Sequence, residues 1–406
     1  VIFLLVVLVT VVAIHSYLWY RLFASTSGAR VRRFGGWVLF ALAALAVAAV
    51  IAPRIDTLPL LVRHVVQWSG YLWIAMMFYL LLWLLPWELL RPLLMPLIRR
   101  YLPTRRSSGG RDTLSAAATE RDKSADPDRR IVLGQGIAIL AGVGAVSTVG
   151  YGVTKAFGDF DVTRVPITLT KLDSRLAGFR IGMVADIHIG TYVGRSRVAE
   201  IVRVINNEQV DLVAIVGDLM DGSVKELGRD AAPLQRLRST YGTFYVTGNH
   251  EYYSGVEQWV EYLPTLGITV LRNQRVSVEH GGASFELAGV NDVSADPQVY
   301  GRNGSDLDAT LAGRDRGKPV VLLAHQPVMF DKAARAGVDL QLSGHTHGGQ
   351  LAPFGWLVKA QQGVISGHKR RGDSQLYVTR GAGFWGPPVR VGASPEITIV
   401  ELRSNS

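Results

Sequence analysis

Apolar positions in the first 159 residues run together rather than alternate. Four stretches are long enough to cross a bilayer, which takes about 20 helical residues. They run from Val1 to about Tyr20, about Phe34 to Ala52, about Val65 to Trp87, and Ile131 to about Val153. Tryptophans and tyrosines near the ends of the third stretch, among them Trp68, Tyr71, Trp83 and Trp87, suit an interfacial belt. From about Val165 the pattern changes to short β-branched runs separated by helical periodicity. Buried strands are expected at 179–185, 211–216 and 243–246, with helices at about 196–207 and 231–239 between them. A more antiparallel set is expected at 270–271, 275–278 and 285–290. Strands at 319–323, 340–343, 376–379 and 396–402 follow. Strand–helix alternation followed by mixed strands predicts an α/β fold of two packed sheets with helices outside.

The expected organisation is therefore three transmembrane helices in residues 1–102, a cytoplasmic linker at 103–130 rich in Ser, Arg, Asp and Gly, a fourth span at 131–155, and a globular domain at 160–406. Asp128-Arg129-Arg130 ahead of a Gly/Ala-rich apolar stretch also resembles a twin-arginine export signal, without the usual Phe after the Arg pair. A plain fourth helix and such a signal anchor both carry the following domain across the membrane.

Charge sharpens this picture. Of the formal +10, residues 1–159 hold 17 Lys/Arg against 8 Asp/Glu, leaving 26 against 25 beyond. The basic excess belongs to the membrane half, so the globular half offers no electrostatic footprint for nucleic acid. The first loop carries Arg21, Arg30, Arg32 and Arg33, and the third carries ten basic residues between Arg91 and Arg130. The second has only Arg54 and Arg63. By the positive-inside rule, loops one and three face the cytoplasm and the C-terminal domain faces outward. The expected location is a bacterial inner membrane, multi-pass, with the domain in the periplasm or at the cell exterior. The chain has no Cys, which excludes disulfides and thiolate metal sites.

Five stretches carry the candidate chemistry: Asp186-Ile187-His188, Gly217-Asp218-Leu219-Met220-Asp221, Gly248-Asn249-His250-Glu251, His325, and Gly344-His345-Thr346-His347. They take five of the nine histidines, and the first three stretches each begin where an expected strand ends. Residues at i and i+2 of an extended segment face one side, so Asp186 and His188 can reach a single ion. A carboxylate at Asp218 has two oxygens with which to bridge two cations, and Asn249 offers a neutral amide oxygen. Imidazole, carboxylate and amide donors suit Mn, Fe, Zn or Mg rather than a closed structural zinc site. Two such ions about 3.5–4 Å apart can activate water and hold phosphate oxygens for in-line attack.

The order D-x-H, G-D-x-x-D, G-N-H-E, H, G-H-x-H resembles the calcineurin-like metallophosphoesterase superfamily. The later Gly348-Gly349-Gln350, Leu376–Gly381 and Pro395-Glu396-Ile397 resemble its bacterial membrane-associated branch. The resemblance covers about residues 165–402 and implies an αββα sandwich of two mixed sheets. It implies that Asp186, His188 and His347 hold one metal, that Asn249, His325 and His345 hold a second, and that Asp218 bridges both. It implies that His250 protonates the leaving oxygen, with Asp221 or Glu251 orienting its ring; a turn residue and a helix-start carboxylate are the plainer roles for those two acids. The implied cofactor is a pair of divalent ions, Mn favoured, and the implied activity is binuclear phosphoester hydrolysis through a metal-activated bridging water, a diester preferred.

Tethering beside a bilayer favours a lipid or cell-envelope phosphodiester as substrate. A non-catalytic metal-binding regulatory module on the same fold stays open beside this reading, as does a phosphomonoesterase or lipid pyrophosphohydrolase. The presence of Asp218 and His250 argues against loss of catalysis. Phe354, Trp356, Phe384 and Trp385 are expected to pack within loops, with an apolar rim for lipid as the alternative. Arg195 and Arg197 are expected at a helix start or near a phosphate, and His368–Arg371 at a solvated hairpin tip or on anionic headgroups.

Overall fold

The computed structural model describes residues 2–24, 28–55, 57–101 and 125–405. It divides into two compact units, Val1–Tyr151 and Gly152–Ser406.

The first unit is helical: α1 (Ile2–Trp19), α2 (Ala29–Ile51), α3 (Leu60–Tyr101) and most of α4 (Ala125–Ala156). Among the described residues, three segments are long and apolar enough to cross a membrane: Ala29–Ile51, Leu60–Leu94 and Leu133–Ala156. A shorter apolar helix occupies Leu8–Ala24. Helices α2 and α3 approach closely at small residues; a Cβ on Gly70 would fall 2.7 Å from the Leu45 carbonyl oxygen. Several polar side chains pair with one another within the unit. Trp73 donates to His15 Nε2 at 3.0 Å, and Glu88 accepts from Tyr17 at 2.7 Å and pairs with Arg21. Helix α3 continues past Trp87 through Pro92 and Pro96. Helix α4 begins at Ala125, so the last six residues of the expected 103–130 linker are helical; residues 102–124 lie outside the described residues.

The second unit is an αββα sandwich of two mixed six-stranded sheets. Its strands are β1 (Asp161–Thr168), β2 (Arg180–Val184), β3 (Leu212–Val216), β4 (Thr243–Val246), β5 (Ile268–Val270), β6 (Gln274–His280), β7 (Ala283–Gly289), β8 (Val320–Leu323), β9 (Leu340–Ser343), β10 (Gly367–Arg371), β11 (Ser374–Val378) and β12 (Glu396–Arg403). The helices are α5 (Arg195–Asn207), α6 (Val224–Ala231), α7 (Asn249–Ser254), α8 (Val256–Tyr262), α9 (Pro297–Tyr300), α10 (Leu307–Leu311), α11 (Phe330–Arg335) and α12 (Gly355–Gln362). One sheet runs β1-β12-β2-β3-β4-β5 and the other β10-β11-β9-β8-β7-β6. Strands β2–β5 are mutually parallel, as are β7, β8, β9 and β11.

Alternation along the strands builds the layers. Ile181, Met183, Ala214 and Val216 join Leu287, Val321, Leu323 and Leu342 in the core between the sheets. Val184, Val213 and Ile215 turn outward to α5 and α8, against Val198, Ile201, Ile205 and Trp259. On the other side Ala288, Val320 and Leu322 meet Leu307, Met329 and Ala333. Strand β3 is thus buried on both faces, and its sequence, Leu-Val-Ala-Ile-Val, is apolar throughout. The helix expected at 231–239 is displaced: α6 ends at Ala231 and the chain continues as a 3-10 turn, Ala232–Arg236, with Pro233 in its first turn.

Candidate metal centre

The two sheets present the carboxyl ends of their parallel strands along one seam, the usual place for a ligand site in α/β sheets. β2 leads to Asp186 and His188, β3 to Asp218 and Asp221, β4 to Asn249 and His250, β8 to His325, and β9 to His345 and His347. The structure brings these residues together. Asp186, His188 and His347 form one group of donor atoms, and Asp218, His325 and His345 form a second. His188 also groups with Asp221 and His250.

The local reason is different from that expected. Asp186 and His188 do not share a face by being extended. Both adopt positive φ, 53° and 52°, and so do Asp218 (49°), His345 (71°) and His347 (49°). Left-handed backbone at non-glycine residues costs about 1–3 kcal/mol each and concentrates at functional sites. Hydrogen bonds hold these turns. Both Asp186 oxygens accept from the His345 amide, at 2.9 and 3.0 Å, and Asp218 Oδ1 accepts from the His250 amide at 2.9 Å. Gly217, at φ 76°, leaves room for the His325 ring; a Cβ there would fall 2.6 Å from His325 Nδ1.

The donor set fits divalent metal. His325 Nδ1–H donates to the Val216 carbonyl at 2.8 Å, which turns Nε2 toward the site as the nitrogen available to a metal. His325 Nε2 and Asn249 Oδ1 are both buried without a hydrogen-bond partner. His325 Nε2 lies 3.1 Å from Asp218 Oδ2, and the Nε2 atoms of His188 and His347 face each other at 3.1 Å. Buried polar atoms left in this way are costly unless a ligand satisfies them. Burial raises Asp186 to about 6, against the pull of His325. Burial would also raise Asp218, but His325 beside it carries it well below the usual carboxylate range. Both carboxylates depend on positive charge between them. Burial and neighbouring histidines lower His345 to about 3 and push His347 well down, so each presents the neutral imidazole that ligates metal.

His250 is set apart. Its Nδ1–H donates to Asp221 Oδ1 at 2.7 Å, and the same carboxylate accepts from His188 Nδ1 at 3.0 Å. Burial opposes protonation of His250, but Asp221, Asp218 and Glu251 outweigh it and lift the ring to about 9. Of the two acids considered for orienting His250, only Asp221 touches it. Glu251 takes the plainer helix-start place in the first turn of α7 and is also a buried brace. Its carboxylate accepts from the amides of Gly248, Asp218, Leu219 and Met220 at 2.6, 3.1, 2.7 and 3.3 Å, locking two of the motif loops together.

The other expectations near the site divide. Arg195 donates to the Arg229 carbonyl, and Arg197 pairs with Glu200 and stacks over Phe160, so both are engaged at the start of α5. Phe384 is buried against Tyr192 and Phe157, whereas Phe354, Trp356 and Trp385 are exposed. His368–Arg371 lie exposed on edge strand β10 and lead into the tip of the β10–β11 hairpin at residues 372–373.

The sequence reading missed Arg390. It is fully buried and donates to the carbonyls of Arg380 (2.9 Å), Gly381 (3.1 Å) and Ala393 (3.1 Å), with further bonds to Gly383. Its guanidinium also lies 3.4 Å from His347 Nδ1. An isolated arginine in a loop carries no sequence pattern; the flanking glycines at 381, 383 and 386 were its only signal.

Comparison with known proteins agrees with the geometry. A family model described as calcineurin-like phosphoesterase matches residues 179–349. An uncharacterised metallophosphoesterase of Helicobacter pylori (strain J99) is 42% identical over 243 residues, covering 59% of this chain and 63% of that protein. A Bos taurus protein named "Transmembrane protein with metallophosphoesterase domain" is 36% identical, covering 69% and 65%. An uncharacterised metallophosphoesterase of Campylobacter jejuni is 34% identical, covering 70% and 73%. The chain belongs to the calcineurin-like phosphoesterase family. It spans a little under two thirds of the length of the Helicobacter and bovine relatives.

Proposed function

We propose that the chain is a membrane-tethered, extracytoplasmic phosphodiesterase working with two divalent metal ions, Mn favoured, and acting on a lipid or cell-envelope phosphoester at a bacterial inner membrane. The observation that carries this reading is the pair of donor groups, Asp186/His188/His347 and Asp218/His325/His345, together with the buried, unpartnered Asn249 Oδ1 at the end of β4. In this reading Asp186, His188 and His347 hold one ion, Asn249, His325 and His345 the other, and Asp218 serves both. A bound pair of ions would supply Lewis acidity at the phosphate and an activated water. The chain's own work is done by His250. Asp221 holds its Nδ1, which leaves the Nε2 proton for the departing oxygen while the cationic ring balances negative charge at phosphorus.

Full chain in detergent, stripped of metal and resupplied with Mn²⁺, Zn²⁺ or Mg²⁺, tests this with a chromogenic phosphodiester and its monoester counterpart. Metal-dependent turnover with the diester ahead is the expected result. A folded chain that binds metal and prefers the monoester would remove the diester assignment; no metal binding would remove the whole reading.

The outward orientation follows from the ten basic residues between Arg91 and Arg130. An alkaline phosphatase reporter fused after residue 406 is expected to be active, since that enzyme folds only outside the cytoplasm. Activity from a cytoplasmic reporter at the same position would reverse the assignment.

A further inference from the structure

We propose that the segment 352–361, with Trp385 beside it, rests in the headgroup layer of the lipid bilayer. This surface is distinct from the membrane-crossing helices. Helix α12 buries only Gln362, while Phe354, Trp356 and Leu357 stand 43%, 74% and 65% exposed. A short helix that turns its largest apolar side chains outward gains nothing from them by packing in its own domain. Trp385 is exposed as well, at 56%.

The segment is fixed rather than loose. Val391 donates to the Gln350 carbonyl at 2.7 Å, and Ala352 donates to the Val391 carbonyl at 3.0 Å. The Gln350 side chain accepts from the Trp385 amide at 3.0 Å and donates to the Trp385 carbonyl at 2.9 Å. The two apolar elements are thereby joined through one side chain.

The same loop meets the end of a span. The membrane-crossing segment Leu133–Ala156 finishes at the start of this unit, where the Arg390 backbone amide donates to the Gly152 carbonyl at 2.9 Å and Val389 packs on Gly152. The last residues of that segment, from Gly152 on, are thereby joined within this unit to the loop 387–392, which in turn pairs with the base of the exposed segment at Gln350 and Ala352.

The side chains suit that depth. Tryptophan and phenylalanine beside leucine match the boundary between headgroups and acyl chains, and a lysine stem can lie along apolar surface with its charge in water. Lys359 is exposed on α12. Lys369 brings its ammonium to the end of the same helix, 3.7 Å from the position of a Cβ on Gly363. Residues 352–363 contain no acidic side chain. Such a surface is attracted to anionic lipid. The inference rests on Leu133–Ala156 crossing the membrane and not on the chemistry of the metal centre.

The natural chain has no cysteine, so single labels can be placed at will. Full-length Trp356→Cys and Leu357→Cys variants would each carry a nitroxide and be reconstituted, at high lipid-to-protein ratio, into vesicles of equimolar phosphatidylcholine and phosphatidylglycerol. Two references complete the set: Val143→Cys within the span, and Arg316→Cys on the turn before β8, at the strand end away from the site. Collisions with lipid-soluble oxygen and with aqueous chromium oxalate are compared. Labels at 356 and 357 are expected to favour oxygen over chromium oxalate several-fold more than the label at 316. Readings at 356 and 357 equal to that at 316 would overturn the proposal. Protection from both probes with spin–spin broadening would overturn it in favour of a second copy. A water reading at 143 would overturn it together with the span. Hydrolysis is not measured, so a failure here is separable from a failure of the phosphoesterase reading.

Discussion

Replacing Asp218 with asparagine is expected to lower kcat by at least about 10²–10³-fold, the scale of losing one preorganised electrostatic group, and to lower bound metal with it. The side chain is buried, with Oδ1 taken by the His250 amide at 2.9 Å. The other oxygen faces both donor groups, 3.1 Å from His325 Nε2 and 3.8 Å from His188 Nε2. An amide at this place removes the negative charge that most directly opposes a cation. Turned toward the donor groups, its N–H₂ cannot ligate a cation; turned toward the His250 amide, it opposes a backbone N–H. The loss should therefore appear in metal content by mass spectrometry as well as in turnover, with the circular dichroism spectrum unchanged. Full metal content and full turnover in Asp218→Asn would remove the shared-ligand role.

Replacing His250 with alanine is expected to separate chemistry from metal binding. Its ring is held by Asp221 rather than by the donor groups, and Asp221 with its neighbours lifts it to about 9, so it is an imidazolium at neutral pH. Loss of a positioned general acid lowers the rate by about 10²–10⁴-fold. The effect should be greatest for alkyl leaving groups, which need a proton, and smallest for p-nitrophenolate, which does not. Metal content should stay at the wild-type level. A variant that loses metal would make His250 a ligand, and an equal loss for every leaving group would leave it a purely electrostatic role.

Strand placement was largely legible because the sandwich buries both faces of its central strands. Thr243–Val246 and Leu340–Ser343 stand where their β-branched and apolar runs predicted. Strand β1 was missed, since Arg164 and Pro166 interrupt it and most of its residues are at least partly exposed. Strand β10 was missed for a related reason: Lys369, Arg370 and Arg371 mark a sheet edge in contact with water. Six of the seven candidate ligands, chosen by order and residue type, come together in two groups of donor atoms, and Asn249 follows β4 with its Oδ1 buried and unpartnered. How Asp186 and His188 reach the site was misjudged, because left-handed backbone in a non-glycine residue leaves no trace in the sequence. The brace at Glu251 and the hub at Arg390 were equally silent. Both act on backbone amides and carbonyls, which every residue possesses.

The seven candidate ligands divide between the sheets: Asp186, His188, Asp218 and Asn249 follow strands of one, and His325, His345 and His347 follow strands of the other. Ions held by this set would act as rivets through the sandwich, joining segments as far apart in sequence as Asp186 and His347. A ligand that binds only the folded form stabilises it in proportion to the logarithm of its saturation. How tightly the sheets are seated and how tightly an ion is held then become one equilibrium read from two ends. A packing defect deep between the sheets, far from any histidine, would register first as a leak of metal.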